Sequence, residues 1–245
     1  MRLPSSLLAV PALVLLTIPV ATVGASAQDI FITPIPNAPF SAVVDVERSS
    51  VGRDGSIANS KTVREIARDG SGRIHNESRD LVPVSYTKTP RIVRIHIYDP
   101  QTRVSTYLDP NERTFWTETV SHPPSAVPPT VRFGTQTGDG LPQSEFAQEE
   151  EDLGTHQMEG LSVHGVRETQ MIPAENGGTQ GEIAITDEYW YSEDLRINLM
   201  VRHSDPRTGA VTMTVSEVAR TEPDPAFFEI PRNYKSARGG RATNH

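Results

Sequence analysis

The sequence predicts a mainly β protein, a single curved antiparallel sheet or half-barrel with few short helices; a β-sandwich is the alternative arrangement. Three observations lead there. All but Pro4, Pro11 and Pro19 of the 20 prolines fall behind residue 27 and cut the chain into runs of strand length, because proline lacks an N–H and is excluded from central strands. Within those runs apolar residues alternate with polar ones: Phe40, Ala42, Val44 and Val46; Val93, Ile95 and Ile97; Leu195, Ile197, Leu199 and Val201; Val211, Met213 and Val215. A period of two is what a sheet shows when one face is buried and the other is wet. The joints are turn sequences, namely Asp99-Pro100-Gln101-Thr102, Asp109-Pro110-Asn111-Glu112 and Asp205-Pro206-Arg207-Thr208-Gly209. Proline presets the first corner of such a turn, aspartate caps it, and Gly209 suits a left-handed closing position. About ten strands follow from this spacing.

In chain order, residues 1–27 read as a secretory signal peptide, with Arg2, an apolar run from Leu7 to Val23, and Ala25-Ser26-Ala27 before Gln28. Cleavage between Ala27 and Gln28 predicts a periplasmic or secreted protein, and no second apolar stretch marks an integral membrane protein. Residues 28–235 are expected to form a single antiparallel β domain. Asp54-Gly55 and Asp69-Gly70 mark two hairpin turns, the second including Gly70-Ser71-Gly72. The proline-rich stretch 121–143 predicts a loop, either a lid or a plain linker. Ser144 to Asp152 is acidic, with a helix-like patch at Phe146 and Ala147. Residues 236–245 are small, basic and polar, and predict a disordered tail.

Cysteine is absent, which excludes disulfides, thiol nucleophiles and thiolate metal sites. Gln28 in place of a lipidated cysteine predicts a protein that is not tethered to a membrane. The signal segment carries Arg2 and no acid, so its removal moves the net charge from −8 to −9, which argues against a nucleic-acid partner. There is no G-x-S-x-G, H-E-x-x-H, Walker A loop or helix-opening G-x-G-x-x-G. No enzyme, cofactor or metal is therefore expected. His156, His164 and His203 could still converge with Glu159 or Asp205. His156 and His164, eight apart, share a face on an unbroken strand, although Gly160 between them could bulge it; scattered surface histidines are the competing reading. Glu149-Glu150-Glu151 with Asp152 lacks the spaced ligands of a Ca²⁺ loop and reads as a solvated charge run. Asn76-Glu77-Ser78 matches the glycosylation sequon, which is incidental in a bacterial exporter. Phe115-Trp116 and Tyr189-Trp190-Tyr191 place rings on both sides of a sheet, where they either line an apolar cavity or cap the core.

From Leu153 onward the chain resembles a group of uncharacterised exported bacterial β-rich proteins. The resemblance rests on Leu153-Gly154-Thr155, Glu159-Gly160-Leu161, Gly165 to Thr169, Ile172-Pro173, Glu188 to Ser192, Leu195, His203 to Pro206, Gly209, Glu222 to Pro225, Phe228, Ile230-Pro231 and Tyr234. More distantly, the succession of hairpins ending in Phe228-Glu229-Ile230-Pro231 resembles the outer-membrane lipoprotein carrier and receptor family. That resemblance implies a curved half-barrel that holds acyl chains in an apolar concavity. Gln28 to Pro39 is proline-rich where those carriers have an N-terminal helix. Burying about 14 methylenes is worth on the order of 11 kcal/mol gross, so an apolar groove needs no conspicuous motif.

The expected function is thus non-enzymatic binding of an apolar ligand or lipoprotein-like partner by an exported cell-envelope protein. Its partners would be a lipid, a lipoprotein or an envelope protein. Expected lining residues are Val93, Ile95, Ile97, Trp116, Trp190, Ile197, Leu199 and Val201. A structural or scaffolding role in an envelope assembly is the alternative, ahead of a hydrolase or metal-dependent enzyme. A carrier predicts a deep apolar cavity, whereas a scaffold predicts a filled core and an exposed apolar patch.

Overall fold

A computed structural model describes residues 30–121, 148–173 and 181–237. The signal segment, nearly all of the stretch 121–143, the patch at Phe146 and Ala147, and residues 238–245 lie outside the described residues. The strands are β1 (Phe40–Val51), β2 (Ile57–Arg68), β3 (Ile74–Arg79), β4 (Val82–Pro83), β5 (Ile92–Asp99), β6 (Val104–Asp109), β7 (Thr114–Thr119), β8 (Gln148–Met158), β9 (Leu161–Ile172), β10 (Ile183–Ser192), β11 (Ile197–Asp205), β12 (Gly209–Ala219) and β13 (Lys235–Ser236). They form one open curved sheet of 13 strands in the order β13-β7-β6-β5-β3-β2-β1-β12-β11-β10-β9-β8, with β4 beside β2. All pairings are antiparallel except β13 with β7.

The Asp-Pro sequences close three hairpins that share an aspartate cap. Asp99, Asp109 and Asp205 each accept a hydrogen bond at Oδ1 from the backbone N–H two residues on, at 2.8 Å. The fifth residue of each turn takes positive φ: Arg103 at 58°, Arg113 at 51° and Gly209 at 115°. Four residues separate the paired Asp99 and Val104, and likewise Asp109 and Thr114, whereas three separate Asp205 and Gly209. The Gly70-Ser71-Gly72 turn is likewise held by Asp69, whose Oδ1 accepts from Ser71 N and Arg73 N. The acidic run Glu149 to Asp152 lies in β8 and pairs with β9.

Alternation divides the sheet into two faces. On β1, Phe40, Ala42, Val44 and Val46 point to what we term the core face. Direct pairing carries that face to Val211, Met213 and Val215 of β12, Val201 of β11 and Tyr189 of β10. In the other direction it reaches Ile66 of β2, Ile74 of β3 and Tyr98 of β5. Ile30 and Ile32, from the segment before β1, complete this cluster. Arg68 is fully buried and fastens that segment to the sheet. Its Nε donates to Ala38 O at 2.8 Å, Nη1 to Thr33 O at 2.8 Å and Nη2 to Leu195 O at 2.9 Å.

The opposite, outer face carries a second cluster between β2 and β7: Ala67, Ile97 and Leu108, covered by Phe228. After β12 the chain crosses this face as a strap. Asp224 caps the 3-10 turn Pro225–Phe228 through Ala226 N. His75 Nδ1 donates to Phe227 O at 2.7 Å, and β13 then pairs with Thr114 and Phe115 of β7.

Candidate functional site

The core face changes character toward β5, β6 and β7. His96, Tyr107 and Trp116 are successive cross-strand partners, so their rings stand side by side on that face. The His96 and Tyr107 centroids lie 4.6 Å apart with the rings 14° from parallel, and Tyr107 and Trp116 lie 5.1 Å apart at 16°. Directly opposed side chains in an antiparallel pair are spaced for such contact. The Arg94 guanidinium sits 5.9 Å from the Trp116 ring centre, and the Tyr107 hydroxyl donates to Glu118 Oε1 at 2.9 Å. His96 Nε2 lies 3.1 Å from Ser105 Oγ. Beside them, the Tyr98 hydroxyl and Asn76 Oδ1 are buried without a hydrogen-bond partner among the described residues.

The electrostatics make this row neutral. Burial pushes the His96 imidazole down to about 4, with Arg94 adding to the effect and Glu118 opposing it. Burial also raises the Tyr107 phenol, and Glu118 raises it further. At neutral pH the surface is therefore three uncharged flat rings edged by Arg94 and Glu118. An apolar body with a few polar groups at its margin is the ordinary chemistry of a binding surface.

Residues singled out by the sequence fall in several places. Ile197, Leu199 and Val201 are 1%, 0% and 3% exposed, inside the main cluster. Ile97 belongs to the outer-face cluster, and Ile95 packs against it. Val93, of the same parity on β5, is exposed. The sheet therefore separates the β5 set from the β11 set, because Ile97 pairs with His75 and His75 with Ala67, all of outer-face parity. Trp116 is half-buried on the core face. Trp190 is buried; its ring lies where a Cβ on Gly165 would approach to 2.7 Å. His156 meets it edge-on at 4.7 Å, and its Nε1 donates to Glu188 Oε1 at 2.8 Å.

The histidines do not converge. Glu159 and Gly160 form the tight β8–β9 turn with φ of 50° and 71°, so the eight-residue spacing spans a hairpin rather than one strand. His164 pairs with Thr155, the neighbour of His156, which sends the two imidazoles to opposite faces. His164 Nε2 lies 3.3 Å from the exposed Asp152, and His203 Nδ1 lies 2.7 Å from Asp187. Among the described residues no group of three or more His, Asp or Glu could hold a metal ion.

Several cavities lie along the described strands. One of about 350 Å³ lies between Asp45, Glu47 and Lys61 and the loop Tyr86–Pro90. Another of about 260 Å³ adjoins Glu47, Asn59 and Val84. A third of about 190 Å³ contains Arg48 and His203. None of the eight expected lining residues borders these three. Sequence reasoning missed His96, Tyr107, Asn76 and Tyr98, although the turn pattern held the signal for the ring row.

No protein-family model matches the chain, and no curated protein matches it. Among solved structures, the chain is similar to the MucA/MucB complex of Pseudomonas aeruginosa, with a TM-score of 0.38 and 9% identity over 80% of this chain. The chain spans 57% of the length of that structure's chain. It is also similar to a LolA superfamily protein from Nitrosomonas europaea, with a TM-score of 0.31, 10% identity, and coverage of 80% and 92% of the two chains. Lipoprotein LppX of Mycobacterium tuberculosis gives a TM-score of 0.26, 13% identity, and coverage of 75% and 88%. The carrier class named from the hairpin succession thus recurs among the similar structures. Among the described residues no helix is long and apolar enough to cross a membrane.

Proposed function

We propose that this chain is an exported, non-enzymatic binding protein of the cell envelope that holds an apolar ligand or a lipoprotein-like partner against the row His96, Tyr107 and Trp116. The row itself carries the reading: its rings are fixed by one another, half-buried, and on the same face as the apolar cluster containing Ile74 and Tyr98. Rings already ordered lose little freedom when a ligand packs on them, so more of the burial appears as affinity. Of the eight residues expected to line a ligand, Trp116 is the direct contact. Ile197, Leu199, Val201 and Trp190 belong to the buried main cluster, and Ile95 and Ile97 back the β5 part of the sheet from the outer face. Val93 is exposed where the β3–β5 register shifts. Release between Ala27 and Gln28 would place the protein where lipids, lipoproteins and envelope proteins are available.

Native mass spectrometry with lipid extraction, on protein purified from its own envelope, tests this. The expected result is an acyl-chain adduct that weakens in Trp116→Ala. Recovery of protein with neither lipid nor lipoprotein, together with unchanged tryptophan fluorescence on titration with a fatty acid, would overturn it. A scaffolding role is the second reading, favoured by the exposed apolar residues Ile57 (68%), Val84 (52%) and Leu81 (46%) around β4. A protein partner lost in Ile57→Ser with Val84→Ser, but retained in Trp116→Ala, would favour that reading.

A further inference from the structure

The cavity of about 190 Å³ lies on the other side of β2 from the aromatic row, lined by Arg48, Ser49, Ser50, His203 and Thr208 to Val211. Its walls follow from register. Arg48 and His203 are both direct partners of Val211, so the three form one cross-strand row on the core face. The Asp205 turn then brings Thr208 and Gly209 to the end of β1, where Thr208 O accepts from Val51 N at 3.0 Å. Gly209 makes the close approach possible, because a Cβ there would sit 2.0 Å from Ser49 O.

The charge distribution is one-sided. No carboxylate lines the cavity. Among the described residues Arg48 has neither an ion pair nor a hydrogen bond for its guanidinium. Asp187, beside the cavity, is engaged by His203 Nδ1 at 2.7 Å, and Asp205 is held by Arg207 at 2.8 Å. Glu168 is the next residue along the row beyond Asp187. Glu47 points to the outer face and lines a different cavity, which Arg48 also borders. Asp187 is thus hydrogen-bonded to His203 and Asp205 is paired with Arg207, which leaves the Arg48 guanidinium as the charge that lines the cavity without a direct partner among the described residues. Ser50 and Thr208 add hydroxyl donors, while Ser49 Oγ accepts from Ala210 N at 3.1 Å. A half-buried guanidinium beside hydroxyls is suited to a tetrahedral oxyanion, which it engages through two parallel N–H bonds.

We infer that this cavity binds a phosphate group, held by Arg48 with Ser50 and Thr208, either as free phosphate or as the headgroup of an amphiphile lying on the core face. The headgroup form rests on the apolar-ligand reading above; the free form does not. Asp187 holds the His203 imidazole above its ordinary value, with Asp205 contributing and burial opposing, so affinity is expected to rise as pH falls.

The test is an NMR titration of the full exported chain, at ionic strength matched with sodium chloride, with inorganic phosphate and separately with monomeric dihexanoyl phosphatidylglycerol. Saturable shifts at the Gly209 and Ala210 amides are expected, and Arg48→Gln should weaken binding roughly tenfold or more. Equal shifts with the two probes at equal concentration would identify free phosphate, and much tighter binding of the lipid would identify a headgroup. Absence of a saturable shift with either, or undiminished binding in a folded Arg48→Gln variant, would sink the inference. Loss of the lipid adduct in native mass spectrometry with phosphate binding intact would instead count against the apolar-ligand reading alone.

Discussion

Arg68 is a charged side chain in the centre of the molecule, and its three backbone acceptors explain why it is tolerated. Burial lowers its guanidinium to about 10, with Arg196 adding to the effect, yet it stays protonated at physiological pH and satisfies carbonyls from two separate segments, the stretch before β1 and the β10–β11 turn. Replacing it with an apolar residue of similar volume removes the side-chain donor from all three, and of these Thr33 O keeps a backbone bond from Ile35 N at 2.9 Å. Arg68→Met should therefore destabilise the fold by roughly 3–5 kcal/mol in urea unfolding; a loss below about 1 kcal/mol would show that water replaces the guanidinium there. A second residue-scale effect belongs to His203. Its folded pKa is raised above the ordinary 6.5, so the stability it contributes is complete below that value and is lost as pH rises through the folded pKa. The stability difference between wild type and Asp187→Asn should accordingly be greatest in acid and shrink on the alkaline side of 6.5. An unchanged difference across that range would mean that the imidazole does not titrate with folding.

At the scale of elements, the Asp-Pro hairpins set the register of most of what matters here. The fifth residue from the aspartate is Arg113 in one hairpin and Gly209 in another, both at positive φ. Gly209 also lies so close to a neighbouring strand that a Cβ would sit 2.0 Å from Ser49 O. Gly209→Ala should thus cost more than about 2 kcal/mol. Arg113→Gly, which relieves a left-handed non-glycine residue, should be neutral or stabilising by up to about 1 kcal/mol. Thermal or urea unfolding of the pair checks both signs at once. The same loops show how much of the site could be read from sequence. With Asp99 opposite Val104 and Asp109 opposite Thr114, counting back along each strand aligns His96 with Tyr107 and Tyr107 with Trp116. The turn motifs were legible and the count was available. Attention to the apolar parity of Val93, Ile95 and Ile97 pointed instead to the other face of β5.

At the scale of the whole molecule, the sheet buries both of its faces by different means. The segment before β1 covers part of the core face, and the strap after β12 covers the outer face of β2 to β7. The strap rests on Phe228, the His75 contact and a short parallel pairing. Phe228→Ala should cost about 3–5 kcal/mol and loosen one region selectively. Hydrogen exchange should speed up in 224–237 and β7 while β1, β11 and β12 keep their protection. Uniform acceleration over all strands would mean that the two clusters unfold as one unit.

The sequence by itself determined the β class, the hairpin turns and the inward side of each well-alternating strand, because these depend on local backbone preference and a period of two. It also carried the signal-peptide pattern and the resemblance to lipoprotein carriers. Only the tertiary structure decided which strand faces share a side. Parity along one strand is local, but its relation to parity on another passes through every intervening register, including bulges such as those at Ser41–Val43 and Trp190–Tyr191. Tertiary structure alone therefore put Ile97 and Leu199 on opposite sides of one sheet, aligned His96 with Trp116, and set Arg48 and His203 in one row with Val211.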